Sequence, residues 1–239
     1  MKIYGIDPAP RKDNVVFDGK SFQKYNVERL KSFIESLDKD TLICWDAPLS
    51  FDMKTFNFYY RPVEYFFRYK KKLPPGVSVL PIAGCSHWLM SEYVIGYPSL
   101  YCKREDISLV LKREDLNIQK IKLIEVHPAL AIWIWLKGKR ENFQYKKGEN
   151  KKEILKEIVD ELKELKIIKD MKINIDDELD AYISWKLGEM FLNTPYKTMI
   201  LGDESGYFLL PFDEKIKKDF ETFKGEKNAK QVFGGYWGL

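Results

Sequence analysis

The sequence predicts an α/β protein whose sheet opens as an antiparallel meander and continues with parallel strands. Three observations lead there. Residues 2–8, 14–17 and a run opening at Ser21 read as short strands joined by tight turns, Asp18-Gly19 among them, the signature of successive hairpins. Val27, Leu30, Phe33, Ile34 and Leu37 recur at helical spacing behind Asn26, a fitting N-cap. Residues 41–45 form a second apolar strand, and a right-handed crossover through that helix sets it parallel to the first.

Length and composition bound the rest. With 239 residues, 45% of them hydrophobic and 15% aromatic, the chain is sized for one well-buried domain spanning residues 1–239. A net charge of +4 permits an acidic partner without requiring one. Abundant Lys, Glu and Ile resemble the usage of proteins from hot environments. Cys44, Cys85 and Cys102 make no CxxC pair, and Cys85 with His87 and Cys102 matches no usual zinc spacing, so a reducing cytoplasm fits. No apolar stretch of about 18 residues and no signal-like leader occur, so a soluble protein with no membrane partner is expected.

Both early strands end in an acid close to proline, Asp7-Pro8 and Asp46-Ala47-Pro48. Proline lacks the amide a central ladder needs, so each carboxylate emerges at the strand's C-terminal end, where sheet-based active sites collect. The same acids also suit turns. Residues 51–118 break the periodicity and read as an insertion over a core of residues 1–50 and 119–210. Inside it, residues 62–72 read as a helix entered by Pro62 and closed by Lys70, Lys71 and Lys72.

Residues 121–126 form a further strand, followed by His127-Pro128 and an apolar helix over 129–136. Glu125 thus lies beside a helix N-terminus that favours an anion, or faces outward from an alternating strand. The run 136–152 carries Lys137, Lys139, Arg140, Lys146 and Lys147, a solvated surface or a nucleic-acid contact. An amphipathic helix follows over 151–168. Beyond it, Asp177, Asp180, Ser184 and Gly188 make one helical stripe, and Leu179, Ile183, Leu187, Met190 and Phe191 another. Such a helix packs on two sides, and its small polar face can bring carboxylates to a sheet edge. Asp176 or Asp177 also suits its N-cap. Residues 198–201 and 206–210 read as strands, and the aromatic, glycine-rich 233–239 tail as core cover or, second to that, a platform that stacks on bases.

Converging carboxylates repel one another unless protons or cations intervene, and hard oxygen donors in this number suit Mg²⁺ or Mn²⁺. Two such ions can clamp the attacking and leaving oxygens of a phosphodiester. The ordered set Gly5-Ile6-Asp7, Trp45-Asp46-Ala47-Pro48-Leu49-Ser50, Arg61-Pro62-Val63-Glu64 with Arg68, Glu125-Val126-His127-Pro128 and Asp177-Glu178-Leu179-Asp180-Ala181 resembles the uncharacterised, predicted ribonuclease H-like nucleases. The resemblance spans most of the chain. It implies a ribonuclease H-like mixed sheet of three antiparallel strands continued by parallel ones, flanked by helices. It also implies that Asp7, Asp46 and Asp180 occupy the metal-binding positions with Asp177 assisting.

The expected activity is metal-dependent hydrolysis of DNA or RNA, with Glu125 a further catalytic candidate. Lys70, Lys71, Lys72, Lys139 and Arg140 are expected to hold phosphate backbone on either side of the acids. Two rivals remain: an ATP-dependent phosphotransferase of the actin and sugar-kinase type, for which Pro8-Ala9-Pro10 is a poor phosphate cradle, and a catalytically silent nucleic-acid scaffold. Homodimerisation stays open.

Overall fold

The computed structural model describes residues 1–49, 60–80, 87–96, 104–203 and 206–225; Cys85, Cys102, the side chain of His87 and the 233–239 tail lie outside what it describes. Strands β1 (Lys2–Asp7), β2 (Asn14–Phe17) and β3 (Phe22–Tyr25) form the antiparallel meander. Helix α1 (Val27–Glu35) is capped by Asn26, whose side chain accepts from the Arg29 amide at 2.9 Å. It returns the chain to β4 (Thr41–Trp45), parallel to β1. Helix α2 (Pro62–Tyr65) runs on as a π-helical turn, Phe66–Lys70, and α3 (His87–Met90) as another, Ser91–Ile95.

Strands β5 (Ile107–Leu109) and β6 (Ile121–Glu125) complete a six-stranded sheet of order β3-β2-β1-β4-β6-β5, three antiparallel strands and then parallel ones. This is the strand arrangement expected of a ribonuclease H-like sheet. Helices α4 (Pro128–Leu136), α5 (Lys151–Glu164) and α6 (Asp176–Asn193) follow, then a hairpin of β7 (Thr198–Asp203) and β8 (Gly206–Pro211), and α7 (Glu214–Gly225). Among the described residues no helix is long and apolar enough to cross a membrane.

Two details depart from the sequence reading. Strand β5 belongs to the 51–118 segment yet forms the sheet edge beyond β6. A strand of three residues is too short to show an alternating pattern, which is why it reads as irregular. At the start of α6, Ile175 holds the N-cap position without a side-chain cap, and Asp176, Asp177 and Glu178 all lie in the first turn. There the helix dipole favours them without any cap bond.

The pleat sorts the core onto two faces. Leu42, Cys44, Ile124, Val15 and Phe17 pack with α4 and α6 on one side. Ile6, Val16, Ile43, Trp45 and Leu123 meet Leu30 and Ile34 of α1 on the other. Helix α6 crosses β1 at backbone contact: a Cβ added at Gly5 would lie 2.1 Å from the Ala181 carbonyl oxygen, and one at Gly188 2.3 Å from Cys44 Sγ. Glycine at these two positions is what lets the helix descend onto the sheet, and the Gly5 contact falls at Ala181, the residue after Asp180.

Candidate metal centre

Parallel pairing brings the strand ends together. Ile6 is in register with Trp45, and Trp45 with Glu125, so Asp7 and Asp46 leave adjacent strands side by side. The Asp46 amide still donates to the Ile6 carbonyl at 3.1 Å, which holds the two strand ends in step. From above, α6 adds Asp180. Asp7, Asp46 and Asp180 each offer an oxygen, all within 4.8 Å of one another, and this buried to partly buried triad can hold a metal ion. The convergence expected from the sequence is therefore present, and the donors are all hard oxygens.

The triad is electrostatically unfinished. Burial, then the neighbouring Asp180, pushes the Asp7 carboxyl well above the usual range. Burial raises Asp46 to about 8, against the pull of Lys146. Asp180 is 1% exposed and also raised by burial, although both its oxygens have partners. Tyr145 donates its hydroxyl to Asp180 Oδ1 at 2.7 Å, and the Lys146 ammonium pairs with Oδ2. Partial desolvation of the ammonium opposes the charge of Lys146, but Asp180, then Tyr145 and the other two carboxylates, outweigh it and hold the group protonated, although the side chain as a whole is partly exposed.

Asp7 and Asp46 open into a cleft of about 580 Å³ lined also by Lys12, Lys147, His127, Gln144 and Phe208, within the roughly 300–1,000 Å³ usual for ligand sites. Asp177 lines it too but stands outside the triad, its carboxylate paired with Lys12 at 2.5 Å. Asp177 is one helical turn earlier than Asp180, on the solvent side of the same stripe.

Glu125 is built into a different arrangement. Its Oε2 accepts from Arg61 Nη1 and from the Leu49 amide, both at 2.8 Å, and its Oε1 from Arg61 Nη2. Arg61 also binds Glu64, at 2.6 Å through Nη2 and 3.0 Å through Nε. All three side chains are at most 3% exposed. Burial raises Glu125 to about 7 in spite of Arg61. The carboxylate thus braces the cleft floor through Arg61, and it is not one of the three clustered donors.

Of the basic residues singled out by the sequence, Lys146 and Lys147 line the cleft, whereas Lys70, Lys71, Lys72, Lys139 and Arg140 do not. Lys71 pairs with Asp219, Arg140 pairs with Glu157 and Glu161 at 2.8 and 2.9 Å, and Lys70 lies over the Phe223 ring. Lys72 and Lys139 are exposed. Among the described residues the lysines that line the cleft are Lys12, Lys146 and Lys147.

Tyr145 and Lys146 are the functional side chains that the sequence conceals. Lys146 reads there as one of a basic run and Tyr145 as nothing at all. The available signal is Phe143-Gln144-Tyr145, two aromatic residues in an otherwise charged loop; both are buried and pin it, with the Phe143 amide donating to the Pro75 carbonyl at 2.8 Å. His127 is a quieter omission. Its Nδ1 is buried without a partner, and burial followed by Lys146 lowers its pKa to about 3, so it faces the cleft as a neutral imidazole.

No protein-family model, curated protein sequence or solved structure matches the chain. The functional reading therefore rests on this geometry.

Proposed function

We propose that the chain is a divalent-metal-dependent nuclease of ribonuclease H-like type, hydrolysing phosphodiester bonds of DNA or RNA. The observation that carries this reading is the convergence of Asp7, Asp46 and Asp180, from two strand ends and one helix, with Asp7 and Asp46 lining a cleft that also holds Lys12, Lys146 and Lys147. Mg²⁺ or Mn²⁺ suits three carboxylate oxygens, and when bound there it supplies a polarised water and neutralises charge on the phosphate.

The chain's own groups do the rest. Asp7 and Asp46 are carried on hydrogen-bonded strand ends, so two donors are pre-positioned by the sheet. Tyr145 fixes the third by holding Asp180 Oδ1. Lys12 and Lys147 draw a phosphate backbone toward the cleft, and the exposed Lys72 and Lys139 extend that attraction over the surface. Arg61 anchors Glu125 and, through it, the Leu49 amide three residues after Asp46.

A phosphotransferase is disfavoured by a specific contact. The Ala9 amide after β1, which a phosphate loop would present to a nucleotide, instead donates to Asn14 Oδ1 at 2.8 Å. The test is cleavage of a panel of single-stranded, duplex and branched DNA and RNA with Mg²⁺ or Mn²⁺, using the native chain and Asp46→Asn. Metal-dependent cleavage lost in Asp46→Asn supports the nuclease. Binding without cleavage across the panel replaces it with the scaffold.

A further inference from the structure

We propose that Lys146 is an exchangeable counter-cation of the acid triad, displaced from Asp180 Oδ2 when a divalent ion binds and then free to meet the phosphate of the substrate. This rests on the metal site proposed above. Two side chains share Asp180, and they are held in opposite ways. Tyr145 is 1% exposed and its ring is locked in the core, whereas the Lys146 side chain is 40% exposed on a flexible four-carbon stem. The loop backbone is anchored on both sides of Gln144 by buried Phe143 and Tyr145, so displacement needs only the lysine side chain to move.

The exchange has a clear electrostatic cause. Lys146 is the cation whose attraction reaches Asp7, Asp46 and Asp180 alike. A divalent ion bound about 2.1 Å from their oxygens makes the ammonium redundant there and repels it. The stem then leads outward along the cleft wall, where Lys147 and Lys12 already gather positive charge. A lysine that merely braced Asp180 would instead be needed for metal binding.

The experiment is calorimetric titration with Mn²⁺ of the native chain, Lys146→Met and Lys147→Met. Methionine keeps most of the stem and removes the ammonium, which lies 5.7 Å from the centroid of the Tyr145 ring. Lys147→Met controls for the loss of one positive charge beside the cleft. If Lys146 competes with the ion, Lys146→Met binds Mn²⁺ roughly tenfold or more tightly than the native chain, while Lys147→Met stays within about threefold. Equal or weaker binding by a folded Lys146→Met overturns the exchange and leaves the metal site standing. Should that variant not fold, Lys146→Gln takes its place under the same criteria. Binding to neither the native chain nor the variants overturns the metal site, and the exchange with it.

Discussion

Replacing Asp7 by Asn is expected to stabilise the metal-free protein while destroying its metal site. At an effective dielectric of about 20, two unit charges roughly 4.8 Å apart repel by about 3.5 kcal/mol. Asp7 faces two such neighbours, Asp180 and Asp46, and one compensating ammonium, Lys146. The net burden is therefore of the order of one pair, reduced further by proton uptake and solvent, leaving about 2 kcal/mol for Asp7→Asn to relieve. A carboxyl whose folded pKa is raised supplies stability below its unfolded value near 3.9 and loses it as pH rises through the folded pKa. Asp7 and Asp46 are both raised in this way, Asp46 to about 8. The advantage of the variant should thus be small near about pH 4 and grow as pH rises toward about 8, approaching a melting point roughly 4–8 °C higher once the carboxyls ionise. Thermal unfolding in chelator across that pH window measures it. The reasoning fails if Asp7→Asn melts below the native chain near about pH 8, or if its gain is equally large near about pH 4. With saturating Mn²⁺ the order should invert, because only the native chain gains stability from the bound ion.

Three further outcomes are expected. Arg61→Met leaves Glu64 and Glu125 buried without their shared cation, and urea unfolding should show a loss of about 3–5 kcal/mol. Gly5→Ala drives a methyl against the Ala181 carbonyl, so it should lower the melting point and weaken Mn²⁺ binding together, as α6 and Asp180 are pushed off the sheet. Neutralising Lys12 or Lys147 should reduce the logarithmic salt slope of nucleic-acid binding by about one each; an unchanged slope would place the phosphate elsewhere.

Much of the architecture is written locally in the chain. The meander, the Asn26 cap, the strand ends at Asp7 and Asp46 and the two stripes of α6 all follow from period, proline and turn chemistry within about ten residues. Those rules also bring Asp7 and Asp46 together, because parallel strands joined by a crossover must end at the same edge, while Asp180 joins them through the close packing of α6 on β1. What the sequence by itself left undecided is which partner each charge takes. Glu125 belongs to Arg61, 64 residues away, and Asp180 to Tyr145, 35 residues away, and no periodicity records such separations. Lys146 differs from its lysine neighbours only because two buried aromatic residues hold its loop against the triad. Local geometry sets where carboxylates emerge; only the packing of distant segments decides which of them are neutralised and which stay open to a metal.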